Sequence, residues 1–214
     1  GTYVYDGTEK AITVTLSGIV GNDDAYVPGY ASTDVCNQTI NLTLKGETAK
    51  YYVLDSKTPA TANLTITAKD VELTWSGSEF TYNGEAQKPT ATFASGLIVN
   101  DDDVNVTLNG NINVGTHTAT ATLSGAKAKN YNLTNASYDY EIKKKVLTAN
   151  IVGDGTHVYD GTEKAITVTL DGIANDDDVK VAEYKATDVS AKEISIVLSG
   201  SAKDNYVLDS STPA

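Results

Sequence analysis

The chain has 214 residues, a net charge of −12 and a pI of about 4.4, and 40% of its residues are hydrophobic. This apolar content suffices for buried cores and excludes a disordered chain, while the acidic charge and the complete absence of arginine argue against binding nucleic acid or inserting into an anionic membrane. The single cysteine, Cys36, excludes an intramolecular disulfide, and no stretch approaches the roughly 20 apolar residues of a membrane span.

The segment VYDGTEKAITVTL occurs twice, at residues 4–16 and 158–170, and defines an internal repeat. Its tyrosine recurs every 77 residues, at Tyr5, Tyr82 and Tyr159, because the middle copy begins with Tyr-Asn-Gly. The outer copies align without a gap, whereas the middle copy is a more distant relative. A unit of this length exceeds the roughly 20 to 45 residues of solenoid repeats and allows a core of its own. We therefore predict three small domains in series, at residues 1–68, 69–145 and 146–214.

Apolar and polar residues alternate along most of each unit, for instance over 12–16, 40–44, 64–67 and 138–142. A period of two residues indicates strands with one buried face, and no window shows a sustained helical period. Asp-Gly and Asn-Gly pairs separate the strands, as tight turns require. We expect six or seven strands per unit and an all-β fold of immunoglobulin-like sandwiches. A β-grasp fold, which needs a helix, is the alternative.

The connections between units, within 62–77 and 138–153, contain no proline, and glycine occurs only near their ends. Flexible linkers are rich in glycine and serine, so these connections predict a stiff, elongated rod. An opening strand precedes the second and third units but not the first, and the third unit lacks a closing strand. We therefore expect a piece of a longer array, monomeric in solution, with a sheet edge at which another molecule can pair.

The tandem Tyr-Asp-Gly-Thr turns, each followed by an alternating strand, resemble the YDG and MBG-type repeats of bacterial surface proteins and adhesins. Residues 5–11 and 159–165 resemble the YDG type, and residues 82–89 with 114–118 resemble the MBG and bacterial immunoglobulin-like type. The resemblance implies an extracellular stalk on the bacterial cell surface and supplies no catalytic residues. We expect a non-catalytic spacer that projects a distal region, through which the parent molecule contacts a host glycan or protein. The alternative is that the repeats themselves bind a host glycan or matrix protein.

The three triplets are interpreted as structural turns, with each tyrosine packed beside a turn that its Asp-Gly or Asn-Gly pair shapes. A structural requirement recurs in every unit, whereas a binding site need not. The turn residues are Tyr5, Asp6 and Gly7, Tyr82, Asn83 and Gly84, and Tyr159, Asp160 and Gly161.

Acidic runs supply oxygen ligands of the kind that calcium prefers, and calcium is the one cofactor that the sequence suggests. Their spacing matches neither the EF-hand loop nor the nine-residue calcium repeat, and such runs are also ordinary turn chemistry. The candidate ligands are Asp23, Asp24, Asp101, Asp102, Asp103, Asp176, Asp177 and Asp178.

Tyr26 and Tyr30 form an aromatic pair that the other units do not repeat, so they are the candidates for a binding surface. Trp75 alternates with apolar residues, which favours a place in a core or at a joint over carbohydrate stacking.

No catalytic constellation is visible. A cysteine nucleophile needs a nearby histidine, yet His117 and His157 lie in other units than Cys36. Paired carboxylates occur only inside turns, so we expect that the chain is not an enzyme.

Overall fold

The computed structural model describes residues 1–153, 155–190 and 195–210, so the last four residues of the predicted third unit lie outside the described part. The fold is all-β, as the alternation predicts, and the described residues include short 3₁₀ turns at Ala49–Tyr51, Ala128–Asn130 and Lys203–Asn205. Within the described ranges there is no α-helix, and hence neither the helix of a β-grasp fold nor one long and apolar enough to cross a membrane. The strands are β1 (Thr2–Val4), β2 (Lys10–Ile12), β3 (Tyr30–Ser32), β4 (Cys36–Asn41), β5 (Thr61–Thr67), β6 (Lys69–Val71), β7 (Leu73–Ser76), β8 (Glu79–Thr81), β9 (Thr90–Phe93), β10 (Asn105–Leu108), β11 (Gly115–Ser124), β12 (Tyr131–Leu133), β13 (Ser137–Lys143), β14 (Lys145–Val152), β15 (Lys164–Asp171), β16 (Tyr184–Ala186) and β17 (Tyr206–Leu208).

The middle repeat, all of which is described, contains the eight strands β6 to β13. This is more than the six or seven expected, because Glu72 alone separates β6 from β7 and the two are counted apart. The strands pair in sheets of order β10-β11-β13-β8, β12-β6 and β7-β9. The first repeat has sheets β1-β5-β4 and β2-β3, and the third has β16-β15-β14-β17.

Parallel pairing joins the beginning of each repeat to its end. β1 pairs with β5, β8 with β13, β6 with β12 and β14 with β17, all in parallel. Parallel neighbours need a long crossover connection. The alternation in the sequence predicts strands but carries no information about such distant partners, so this pairing is a feature that only the structure supplies.

The chain divides into two compact units that do not follow the repeat boundaries. Each contains an outer repeat with part of the middle one. Unit 1 comprises residues 1–74, 91–107 and 121–136, and unit 2 comprises residues 75–90, 108–120 and 137–214.

The buried core of unit 1 combines residues of the first and middle repeats. Tyr5, Leu64 and Ile66 from the first repeat pack with Val71 and Tyr131 from the middle one, and each is at most 6% exposed. The expectation that each repeat has its own core therefore differs from the structure. The strands are short and half-exposed, so burial is completed by the neighbouring repeat.

The core of unit 2 has the same construction. Tyr82, Tyr140 and Ile142 of the middle repeat pack with Leu147 and Tyr206 of the third. The connections lie beside these cores and are short. Only Ala68 separates β5 from β6, and only Lys144 separates β13 from β14.

Candidate functional site: the tyrosine–aspartate joints

The three triplets form the same turn. In each copy, the side-chain oxygen of the second triplet residue accepts a hydrogen bond from the backbone N–H two residues later, and the glycine is left-handed. Glycine adopts this conformation without steric cost. The N–H of Thr8 donates to Asp6, that of Glu85 to Asn83 and that of Thr162 to Asp160, each at 2.9 Å. The φ angle is +75° at Gly7, +81° at Gly84 and +75° at Gly161.

A lysine reinforces the turn in the two outer copies. Lys10 Nζ lies 2.7 Å from Asp6 Oδ2, and Lys164 Nζ lies 2.8 Å from Asp160 Oδ2. These lysines hold the pKa of the Asp6 and Asp160 carboxyl groups well below the usual range. The outer turns are thus formed locally, independently of what the tyrosine contacts.

In unit 1, the tyrosine of the first triplet is buried on an aspartate of the next repeat. Tyr5 Oη donates to Asp102 Oδ2 at 2.6 Å, and Tyr131 Oη donates to the same oxygen at 2.7 Å. The backbone N–H of Val99 donates to Tyr131 Oη at 2.9 Å, and the two rings meet edge to face at 5.5 Å. Burial, together with the Asp102 hydrogen bonds, raises the pKa of Tyr131 to about 12 and that of Tyr5 above its usual range.

Unit 2 repeats this arrangement. Tyr82 and Tyr206 donate to Asp177 Oδ2 at 2.8 and 2.5 Å, and the N–H of Ala174 donates to Tyr206 Oη at 3.0 Å. The rings meet edge to face at 5.3 Å. Burial, and then Asp177, raises the pKa of Tyr206 to about 12 and also raises the pKa of Tyr82. We call the aspartate, the second tyrosine and the N–H donor the socket, and each triplet turn seated on its socket a joint.

The backbone before the socket aspartate is left-handed at two consecutive residues. In unit 1 these are Asn100 and Asp101, with φ of +50° and +55°. In unit 2 they are Asn175 and Asp176, with φ of +48° and +56°. Asn and Asp tolerate this conformation better than other residues with a side chain. The acidic run therefore shapes a sharp reversal that directs its next carboxylate towards the tyrosines.

The glycine of each seated turn lies against the asparagine of that reversal. A Cβ added at Gly7 would lie 2.6 Å from Asn100 Nδ2, and one at Gly84 would lie 2.5 Å from Asn175 Nδ2. At Gly161, no atom of the described part of the chain lies within 4 Å of an added Cβ. The glycine thus serves both the turn and the close approach of the two repeats.

A buried asparagine adds a second contact to each joint. In unit 1, Asn130 Oδ1 accepts from the N–H of Val35 at 2.9 Å, and Asn130 Nδ2 donates to Asp34 Oδ1 at 2.9 Å. Lys127 Nζ also contacts Asp34, at 2.7 Å, and this lysine lowers the pKa of Asp34 to about 2. In unit 2, Asn205 Oδ1 accepts from the N–H of Val114 at 3.0 Å.

The first repeat carries a third socket, with the same two hydrogen bonds but with Gly21 and Asn22 in place of the asparagine and aspartate of the reversal. Tyr52 Oη donates to Asp23 Oδ2 at 2.7 Å and accepts from the N–H of Val20 at 2.9 Å. The Asp23 hydrogen bond raises the pKa of Tyr52. Tyr52 is half-buried, however, and Asp23 is exposed, unlike the buried socket tyrosines of the two joints.

The third repeat carries the complementary turn. Tyr159 is 62% exposed, whereas Tyr5 and Tyr82 are 3% and 4% exposed. A cleft of about 740 Å³ adjoins it, with Val158, Ile166, Tyr184 and Val189 among its lining residues.

Six of the eight predicted calcium ligands, all but Asp101 and Asp176, accept hydrogen bonds from distant backbone N–H groups or tyrosines. The last aspartate of each run accepts from a backbone N–H at 3.0 Å, and the socket aspartates accept from tyrosines. Among the described residues, no group of three or more His, Cys, Asp or Glu side chains is arranged to hold a metal ion, and the calcium prediction stays untested. The backbone N–H of Glu47 donates to Asp24, that of Ala126 to Asp103 and that of Ser201 to Asp178.

The other residues singled out from the sequence lie apart from the joints. Tyr26 is 52% exposed, whereas Tyr30 packs against the core of unit 1, so the pair offers one open ring. Cys36 packs against the same core as a free thiol. Trp75 stacks on Tyr138 at 5.2 Å within unit 2.

Comparison with known families adds one assignment. Residues 143–214 match the family model of the YDG domain. This match covers the third repeat and 72 of the 214 residues. No curated protein and no solved structure matches the chain.

Sequence reasoning placed the triplets in turns but did not identify their partners. A sequence pattern could have identified them, because every repeat contains a second tyrosine in a Tyr-Val-Leu or Tyr-Asn-Leu segment, at Tyr52, Tyr131 and Tyr206. Each also contains an aspartate 29 residues before that tyrosine, as Asp102 precedes Tyr131. An aspartate and a tyrosine that recur at constant spacing predict a contact between the two. They do not show which repeat supplies the triplet tyrosine that also binds the aspartate.

Proposed function

We propose that this chain is a non-catalytic structural segment of a bacterial cell-surface adhesin, an extracellular stalk that holds a distal binding region away from the cell. In this proposal the repeats are immunoglobulin-like β domains arranged in a rod, and the parent molecule makes the contact with a host glycan or protein.

The observation that carries the proposal is the joint itself. In both units a triplet tyrosine of one repeat is buried on an aspartate of the next, at 2.6 Å for Tyr5 and 2.8 Å for Tyr82. A single residue separates the strands that connect the repeats. Buried polar contacts of defined geometry restrain the angle between neighbours, and a short connection leaves little room for a hinge. These are the properties that a spacer needs, and the YDG match supports the same reading.

The alternative function, binding of a host glycan or matrix protein by the repeats, has less support. It depends on Tyr26 and Tyr30, of which only Tyr26 is exposed. A stacking surface commonly uses more than one open ring, so we favour the stalk.

Small-angle X-ray scattering, extrapolated to zero concentration, tests the stalk. A compact particle of this length has a radius of gyration of about 17 Å. Three units in line, each a few strand lengths long at about 3.3 Å per residue, give a value near 30 Å. We expect the larger value, and a value near 17 Å would refute the rod. Repeating the measurement in calcium and in chelator tests the acidic runs, because only a calcium site makes the stiffness depend on the ion.

A further inference from the structure

Two complementary surfaces of the chain are left without the partner that their counterparts have. The socket of Asp23, Tyr52 and Val20 has the hydrogen bonds of the two filled sockets, but within the described ranges no triplet tyrosine donates to its aspartate. The triplet turn of residues 159–161 has the turn geometry of residues 5–7, yet its tyrosine is exposed.

We propose that the turn of residues 159–161 in one copy of this chain docks onto the socket of Asp23, Tyr52 and Val20 in a second copy. The resulting contact repeats the joints within the chain: the Tyr159 hydroxyl donates to Asp23, its ring meets that of Tyr52, and Gly161 lies against the acidic turn. This proposal does not depend on the stalk.

Both halves of this contact are formed before docking. Asp160 accepts from Thr162 and Lys164 at 2.9 and 2.8 Å, as Asp6 does from its own neighbours, so the turn requires little ordering on association. The socket distances of 2.7 and 2.9 Å are likewise those of the filled socket in unit 1. Preorganised surfaces bind more tightly because less conformational entropy is lost.

Exposed apolar residues surround the turn of residues 159–161 in the third repeat. Val158, Tyr159 and Val189 are 85%, 62% and 87% exposed and lie together along the cleft. The residue that aligns with Val189 is Val35, which packs against the core of unit 1 in the first joint. Val4, the counterpart of Val158, is itself 59% exposed, so the comparison applies to Tyr159 and Val189. Exposed apolar residues whose counterparts are covered indicate an interaction surface.

The first repeat differs from a complete socket at three positions. Gly21 and Asn22 stand where the filled joints have the left-handed pairs Asn100-Asp101 and Asn175-Asp176, so the asparagine that lies against the triplet glycine is missing. The residue before the socket tyrosine is Asn130 or Asn205 in the filled joints, but it is Tyr51 in the first repeat, where it is 72% exposed. The docked pair therefore lacks the asparagine that accepts from the valine N–H. Because of these missing contacts, we expect association in the micromolar to millimolar range.

The contact joins different surfaces of the two copies, so it leaves one free turn and one free socket on every assembly. Such heterologous contacts do not close on themselves unless the rotation forms a ring. We therefore expect chains of copies whose average mass rises continuously with concentration.

Sedimentation velocity up to about 1 mM protein, a range that detects millimolar dissociation constants, tests the proposal. The variant Tyr159→Ala loses the docking turn and keeps the socket. The variant Asp23→Ala loses the socket and keeps the turn. Each alone is expected to be monomeric, and their equimolar mixture is expected to form heterodimers and no larger species. Ile112→Ala, which removes a 47% exposed apolar side chain outside the turn and the socket, is the control and should associate like the parent chain. Circular dichroism checks that all variants are folded.

The variant Tyr51→Asn provides a gain of function, because it restores the asparagine of the filled joints opposite the N–H of Val189. We expect about tenfold tighter association, which corresponds to one or two added hydrogen bonds. Unchanged affinity would overturn the proposed register.

Two results would overturn the proposal as a whole. The first is a parent chain that stays monomeric over the entire range. The second is association that persists in both Tyr159→Ala and Asp23→Ala, which would place the contact elsewhere, for instance along a sheet edge. A compact radius of gyration at zero concentration would instead refute the stalk and leave this proposal intact.

Discussion

Tyr5 and Tyr159 occupy the same position in identical stretches of 13 residues, yet one is 3% exposed and the other 62%. The difference lies in what each contacts, since Tyr5 donates to the half-buried Asp102 and, among the described residues, no hydrogen bond of the Tyr159 hydroxyl to an aspartate is found. Tyr159 therefore serves as an internal control when the contribution of the Tyr5 hydroxyl to stability is measured.

Replacing Tyr5 by Phe removes the 2.6 Å hydrogen bond to Asp102 and leaves the ring in place. A hydrogen bond to a charged group contributes about 1–3 kcal/mol, so we expect Tyr5→Phe to lower the free energy of unfolding by that amount. Tyr159→Phe removes an exposed hydroxyl and should change it by less than about 0.5 kcal/mol. Urea denaturation at low protein concentration measures both. Equal effects of the two variants would show that the joint hydroxyl contributes nothing specific.

The joint tyrosines also predict a loss of stability at alkaline pH. The pKa values of Tyr131 and Tyr206 are raised from an ordinary value near 10 to about 12, so above pH 10 the unfolded chain loses tyrosine protons that the folded chain keeps. Proton loss then favours unfolding, and this part of the stability is complete below pH 10 and disappears between about pH 10 and 12. We expect a decrease of about 1–3 kcal/mol for each of these tyrosines. Denaturation at a series of pH values measures it, and stability that stays level to pH 12 would contradict the assignment.

At the scale of elements, identical sequences form different strands. Residues 164–171 form β15, which pairs with β14 between Thr148 and Val152. In the first copy, residues 10–16, which are identical to residues 164–170, form only the short strand β2 (Lys10–Ile12), and the structure assigns no strand to residues 13–16. A strand needs a partner for its backbone hydrogen bonds, and a local pattern does not supply one.

Local sequence patterns predict some features of this fold and not others. Alternation and Asp-Gly pairs were enough to predict an all-β chain and the positions of the three triplet turns. They did not reveal the parallel pairing of β5 with β1, or the burial of Tyr5 on Asp102, because both depend on residues about 60 to 100 positions away. Period and turn chemistry are local properties, whereas the joints arise from the contact between repeats.

The triplet glycines permit a paired test of that contact. Gly7 and Gly161 both have φ of +75°, so replacement by Ala imposes the same backbone strain, about 1–2 kcal/mol. At Gly7 the added methyl also lies 2.6 Å from Asn100 Nδ2 and from Val99 Cγ1, whereas at Gly161 it contacts none of the residues that the structure describes. Overpacking of this kind costs about 1–3 kcal/mol. We therefore expect Gly7→Ala to lower the free energy of unfolding by about 1–3 kcal/mol more than Gly161→Ala does, as measured by urea unfolding. Identical losses would mean that the glycines serve the turn alone.

For the whole molecule, net charge sets the conditions under which two copies approach each other. Each chain carries −12, so copies repel one another at long range. The proposed contact between Tyr159 and Asp23 depends on short hydrogen bonds and ring packing, which salt affects little.

Raising ionic strength should therefore strengthen the association between copies. The Debye length falls from about 30 Å at 0.01 M to about 8 Å at 0.15 M, which screens the repulsion but not a contact of under 3 Å. We expect the dissociation constant from sedimentation to decrease several-fold over this range for the parent chain, and Tyr159→Ala to stay monomeric throughout. If salt weakened the association instead, oppositely charged surfaces would have to hold the copies together, and the hydrogen-bonded joint would not be the contact. The lysines of the third repeat, including Lys185 beside the cleft, would then be the first residues to replace.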